Sequence, residues 1–122
     1  MPRILLICSD AVFAEMLRES ILFEGDCEVC VETIEAVETT KKTIDLLPDL
    51  VMLEMEMSLI NNPQISEALK LGMTELPVFL ITDHYSMEAE KEALSWGMDA
   101  VFEKDHDFSS LVMNARAVCG LR

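Results

Sequence analysis

The sequence predicts one α/β domain spanning residues 1–122, doubly wound, with a parallel sheet covered by helices on both faces. Two observations predict it. Short apolar runs of strand length alternate with segments whose apolar residues recur at helical spacing. Three of the runs, Ile4 to Cys8, Leu50 to Leu53 and Pro77 to Ile81, are nearly continuous in apolar residues, as strands buried on both faces are. Such alternation implies parallel strands joined by right-handed helical crossovers. A length of 122 residues suits a single domain with its own core.

The elements follow in order. Arg3 to Cys8 reads as the first strand. Asp10 to Glu24 carries Phe13, Met16, Leu17, Ile21 and Leu22 at helical spacing, and Gly25 is placed to stop that helix. Cys27 to Glu32 is a short second strand. Thr33 can cap a second helix bearing Ile34, Val37, Ile44 and Leu47, and Pro48 ends it. Leu50 to Met55 is the third strand. Asn62-Pro63 reads as an N-cap followed by proline at the first helical position, opening a helix that runs to Gly72. Leu76 to Ile81 is the fourth strand, Ser86 to Trp96 the fourth helix, and Gly97 its stop. Asp99 to Glu103 is the fifth strand, and Asp107 can cap a last helix carrying Leu111, Val112, Ala115 and Val118. No internal repeat, linker or low-complexity segment interrupts the pattern.

Composition removes several classes of function. A hydrophobic content of 51% argues against disorder. No apolar run approaches the roughly 20 residues of a membrane helix, and the start lacks a secretory h-region, so a cytoplasmic location is expected. The net charge is −14, from 23 acids and nine bases, and residues 15–38 hold eight acids against the single base Arg18. Such a surface repels phosphate backbones and anionic lipids, so neither nucleic acid nor a membrane is an expected partner. Its plain role is solubility; the alternative is steering toward a basic partner. Cys27-x-x-Cys30 has the local spacing of a redox or zinc motif, but on a strand residues three apart face opposite sides. All four cysteines therefore read first as structural thiols.

In a doubly wound fold, ligand chemistry gathers at the carboxyl ends of the strands. The residues there are Cys8, Ser9 and Asp10, then Glu54, then Thr82 and Asp83, then Lys104. The segments ILLICSDAVFAEMLRE, PDLVMLEMEM, LPVFLITD and GMDAVFEKD resemble, in order and spacing, the signature segments of two-component response-regulator receiver domains. The resemblance covers essentially the whole chain. It implies a flavodoxin-like (βα)5 fold with strand order 2-1-3-4-5. It also implies a phosphorylation pocket: two acids after the first strand binding magnesium, an aspartate phosphoacceptor ending the third, a Thr or Ser ending the fourth, and a Lys ending the fifth.

Thr82 and Lys104 match that pattern, and the rest departs from it. Cys8 and Ser9 stand at the acidic-pair positions, and Glu54 at the phosphoacceptor position. Ser58 replaces a usual proline, Asn62 a usual glycine, Asp83 a small residue, and Asp105 the proline after the lysine. Val101 occupies the place of a switch aromatic, with Phe102 one residue on. Magnesium prefers oxygen ligands, often carboxylates, so Cys8 and Ser9 are poor replacements. Asp10 is a spare carboxylate that starts the first helix. The extra methylene of Glu54 shifts its carboxylate by ~1.5 Å, and a displacement near 1 Å costs on the order of 100-fold in rate. The retained residues point to a static cluster: Lys104 paired with Glu54, and Thr82 hydrogen-bonding nearby.

Plainer roles stand beside these. Thr82 suits a strand end by its β-branch, Lys104 suits a surface, and Cys8 suits a core better than a sensor site. Tyr85 and Trp96 lie about three turns apart on one side of the fourth helix. Core packing is their first reading, and a partner face the second.

The expected function is that of a pseudo-receiver: a non-catalytic signalling module without metal or cofactor. It would act on a protein partner, either a signalling protein or its own output domain, with a homodimer as a further option. The alternatives are a phosphoacceptor at Glu54, a thiol sensor at Cys8, and a small flavin-binding domain. The last lacks a glycine-rich loop after the first strand.

Overall fold

The computed structural model describes residues 1–32, 45, 47–54, 75–95 and 97–121. Five parallel strands form one sheet: β1 (Arg3–Ile7), β2 (Glu28–Glu32), β3 (Leu50–Glu54), β4 (Val78–Thr82) and β5 (Ala100–Glu103). Their order is β2-β1-β3-β4-β5. Three helices are described: α1 (Ala11–Ile21), extended by a 3-10 turn at Leu22–Glu24, α2 (Met87–Ser95) and α3 (Phe108–Val118). The helices expected after Thr33 and after Asn62 fall outside the described residues, as do Ser58 and Trp96.

The sheet forms where the apolar runs predict it. Strands β3 and β4 are buried along their whole length, and β1 along all but Arg3. Alternate residues feed two cores, because successive strand side chains point to opposite faces. Ile4, Leu6, Leu50, Met52, Phe79, Ile81 and Phe102 pack with α1 and α3. Leu5, Ile7, Val51, Leu53, Val78 and Leu80 pack with Ala89 and Ala93 of α2. Each core side chain withdrawn from water contributes on the order of 1.5–3 kcal/mol.

Gly25 adopts φ 65° at the end of the 3-10 turn, a conformation that suits a residue without a Cβ. Several edges of the expected pattern shift. Strand β1 ends one residue early, β4 starts at Val78 rather than Leu76 and reaches Thr82, and Asp99 precedes β5; Met55, the expected end of β3, lies outside the described residues. Met16 and Val118, assigned to apolar faces, are exposed. Leu47, expected on the apolar face of a helix, is exposed with φ 49°. Asp107 sits at the N-cap of α3 without making a side-chain cap bond. Its carboxylate accepts instead from the Glu103 amide at 2.7 Å, pinning the end of β5.

Candidate functional site

The carboxyl ends of β1, β3, β4 and β5 bring Cys8, Ser9, Asp10, Glu54, Thr82, Asp83 and Lys104 to one end of the sheet. Asp10 caps α1. Its Oδ1 accepts from the amides of Val12 and Phe13, each at 3.1 Å, satisfying two of the open donors at a helix start. Its Oδ2 accepts from the Lys104 ammonium at 2.8 Å. Glu54 Oε1 accepts from the same ammonium at 2.9 Å. Glu54 Oε2 accepts from the Ser9 amide at 2.9 Å and from the Ser9 hydroxyl at 2.6 Å. Asp83 Oδ1 lies 3.7 Å from Lys104 Nζ and completes the acidic surround. The ammonium also sits 4.7 Å from the Phe13 ring centroid, a cation–π contact on its apolar side.

The carboxylate is therefore buried and fully engaged: Glu54 is only 4% exposed. Burial pushes its pKa up, but the Ser9 hydroxyl and amide and the Lys104 ammonium outweigh burial, and the net shift is downward. The Lys104 bond and the Phe13 amide hold Asp10 below its ordinary value. Burial pulls Lys104 down, while its bonds to Asp10 and Glu54 raise it by more. All three groups stay charged at neutral pH: the Lys104 ammonium stabilises both carboxylates, and each carboxylate stabilises the ammonium.

The expected Lys104–Glu54 pair is present. The expected Thr82 hydrogen bond is not: the Thr82 hydroxyl is buried and has no partner among the described residues. Strand parity explains this. Glu54 continues the face of Leu50 and Met52, toward α1 and α3, whereas Thr82 continues the face of Val78 and Leu80, toward α2.

Val101 and Phe102 also divide between the faces. Val101 packs in the α2 core, while Phe102 is buried in the other and meets the Phe79 ring at 5.2 Å. The β4–β5 register is regular, with Leu80 opposite Val101 and Ile81 opposite Phe102, so no bulge carries the Phe102 ring to the Val101 side.

The cysteines take up structural places. The Cys8 thiol is buried, donates to the Asp10 carbonyl at 3.3 Å, and burial pushes its pKa up to about 11. A thiol held protonated is a poor nucleophile. Cys27 joins the α1 core and Cys30 packs against the α2 core, on opposite faces of the sheet. Tyr85 departs from its core-packing expectation: it is 40% exposed, and its hydroxyl donates to Glu90 on α2.

Sequence reasoning missed three features. Ser9 was read as a lost ligand, although a hydroxyl beside a carboxylate is a natural donor. Asp10 is expected at the pocket as a spare carboxylate that starts the first helix, but not as a partner of Lys104, which its second oxygen holds. Arg116 and Asp26 form a bidentate pair at 3.0 and 2.6 Å across 90 residues of sequence, and no local pattern marks such a pair.

No protein-family model matches the sequence, and no curated protein matches it either. Solved structures do match. A LuxR-family two-component response regulator from Aurantimonas sp. SI85-9A1 aligns at 21% identity and TM-score 0.81, over 98% of this chain and 86% of that one. HP1043, an orphan response regulator of H. pylori, aligns at 22% identity and TM-score 0.74, over 97% and 96%. An atypical orphan response regulator described as having a phosphorylation-independent regulatory mechanism aligns at 20% identity and TM-score 0.75, over 98% and 97%. The strand order, the site at the strand ends and these likenesses together give the chain the fold of response-regulator receiver domains.

Proposed function

We propose that residues 1–122 form a single receiver-like domain that signals through protein–protein contacts, without phosphorylation and without catalysis. The observation that carries this is the closed charge cluster. Lys104, which in a receiver would meet a phosphoryl group, is committed to Glu54 and Asp10, and both Glu54 oxygens already hold donors. A divalent cation would have to displace the Ser9 donors from Glu54, or the Lys104 ammonium from Glu54 and Asp10. The residues present do not fit magnesium. Phosphoryl transfer needs positioned charge neutralisation, and here the positive charge is spent on the protein's own carboxylates. The orphan regulators among the structural likenesses support a signalling role. The partner is a signalling protein or an output domain, and the net charge of −14 argues against nucleic acid and anionic membranes.

The test is incubation of the full chain with acetyl phosphate and magnesium, read by intact mass. The expected result is an unmodified chain. A stoichiometric, base-labile phosphate adduct on Glu54 overturns the proposal in favour of a variant phosphoacceptor.

A further inference from the structure

The two ends of the sheet differ in how their charges are answered. At the carboxyl end, Lys104, Glu54 and Asp10 satisfy one another. At the amino end, Met1, Pro2, Asp49, Pro77, Val118 and Cys119 line an open cavity of about 520 Å³. These residues lead into β1, β3 and β4 or close α3. The walls are mostly apolar, from Met1, Pro2, Pro77 and Val118, and Met1 and Val118 stay 79% and 44% exposed. One carboxylate stands among them. Asp49 Oδ2 accepts from the Arg3 amide at 2.8 Å, while its Oδ1 takes no hydrogen bond from the described residues.

The cavity is braced from several sides. The Asp49 amide donates to the Arg3 carbonyl at 2.7 Å, returning the bond that the Arg3 amide makes. The Val51 amide donates to the Pro77 carbonyl at 3.0 Å. The buried Arg116 donates to the Ile21 carbonyl at 2.8 Å and clasps Asp26 through two bonds, which fixes the last turn of α3 and with it Val118. Just ahead of Asp49, Leu47 takes φ 49°, a left-handed conformation uncommon for a residue with a bulky side chain. Leu47 is 69% exposed while the following Pro48 is buried, so the strained turn directs an apolar side chain to solvent. Such strain persists only where its surroundings hold it, and it gathers at binding sites. A surface ordered in advance loses less entropy on binding.

We propose that the amino end of the sheet docks a basic segment of a partner protein, anchored by one Arg or Lys side chain in this cavity. The stem of that side chain would pack on Pro2, Pro77 and Val118, and its cation would meet the open oxygen of Asp49. An apolar stem and a charged tip match the apolar walls and the single carboxylate. An apolar neighbour in the segment would cover Leu47. Charge complementarity selects this occupant. Glu24, Glu75 and Asp99 also stand at this end, and its described side-chain cations, Arg3 and Arg116, are engaged with Glu28 and Asp26. An acidic segment, or a second copy of a chain carrying −14, would bring like charges together there. This inference rests on the protein-contact reading and gives it a surface and a partner chemistry, at the opposite end of the sheet from the Lys104 cluster.

The test uses the full chain and two short fluorescein-labelled peptides. One carries a central Arg-Leu pair flanked by lysines; in the other, every base is replaced by glutamate. The expected result is saturable binding of the basic peptide only, with amide shift changes concentrated on residues 1–3, 47–51, 75–78 and 118–121. Binding should weaken at least tenfold in Asp49→Asn and in Val118→Lys, and should be unchanged in Glu19→Gln, an acid on α1. Asp49→Asn keeps an acceptor for the Arg3 amide, Val118 is exposed, and unchanged circular-dichroism melts check that the fold is kept. Equal binding of the glutamate peptide, no saturable binding up to millimolar peptide, shift changes centred on α1 or on the Lys104 cluster, affinity unchanged in both variants, or an equal loss in Glu19→Gln each overturn the proposal. Concentration-dependent dimerisation abolished by Val118→Lys also overturns it, in favour of self-association. The titration involves no phosphoryl donor. Its failure leaves the phosphorylation-independent reading standing, and a phosphate adduct on Glu54 removes that reading without touching this surface.

Discussion

Lys104 lies 2.9 Å from one carboxylate and 2.8 Å from another, with its side chain only 12% exposed. Removing one member of a buried pair leaves the other charged and unpartnered, at a cost of about 3 kcal/mol. Lys104→Met is therefore expected to lower stability by roughly that amount in urea unfolding. The double variant Glu54→Leu, Lys104→Met should recover most of the loss, because it removes the stranded charge. A single variant with unchanged stability would show that the cluster is decorative. The pH dependence has a definite sign. Glu54, Asp10 and Asp26 have folded pKa values below their ordinary ones, Asp26 because Arg116 bonds it. Across that interval the unfolded state binds more protons, so stability rises with pH. Their contribution is complete above the ordinary carboxylate range near ~4 and is lost as pH falls through the folded values. Lys104 is shifted up, so its contribution is complete below the ordinary lysine value of ~10.4 and is lost only as pH rises through the folded one. Urea midpoints should be flat from about pH 5 to 9 and fall toward pH 3, less steeply in Glu54→Gln. The Lys104–Glu54 pair was legible in the sequence because Glu54 ends one strand and Lys104 directly follows another. The orphan Thr82 hydroxyl was legible too, had strand parity been carried through to the last residue of β4. The roles of Ser9 and Arg116 were less so, since each depends on a partner brought by the fold from 45 or 90 residues away.

At the scale of elements, the strands were the most legible part. Continuous apolar runs mark them, and the observed ends differ by a residue or two because a strand stops where its ladder partners stop, not where hydrophobicity does. Helix faces were less legible at their margins. Met16 is apolar and at helical spacing, yet its azimuth lies away from the sheet. The β4–β5 pair sets the expected dynamics. A ligand shifts an equilibrium only by its differential affinity for two states. Val101 has no ring to swing, and Phe102 is committed to Phe79 on the other face. The end of β5 is tied by the Lys104 amide to the Thr82 carbonyl at 2.8 Å and by the Asp107 carboxylate to the Glu103 amide. Relaxation-dispersion NMR from Thr82 to Lys104 should therefore show no pervasive microsecond-to-millisecond exchange. Exchange across that stretch, abolished by Glu54→Gln, would reveal a surviving switch.

The whole molecule carries −14 on 122 residues, and that charge acts on every measurement made in salt. Self-repulsion among like charges weakens a compact state, and added ions screen it with a Debye length of about 10 Å at 0.1 M. The melting temperature should then rise smoothly as sodium chloride increases, without saturating at any particular stoichiometry. The local ion pairs work in the opposite direction, because salt also screens attraction. The buried Lys104–Glu54 contact is shielded from that effect, whereas the Arg3–Glu28 pair at the surface is not. Repulsion should dominate, since acids outnumber bases 23 to nine. This bears directly on magnesium. A folded-state ligand raises stability by mass action with a saturable, concentration-dependent shift, but magnesium chloride also raises ionic strength, and an acidic protein responds to that alone. The informative comparison holds ionic strength constant. At matched ionic strength, magnesium chloride and sodium chloride should give melting temperatures that differ by less than about 1 °C, a small fraction of the ~4–8 °C that 1 kcal/mol shifts a domain near this size. A further saturating rise with magnesium, lost in Glu54→Gln, would mean that the cluster opens to admit a cation and that Lys104 is not committed as the geometry has it.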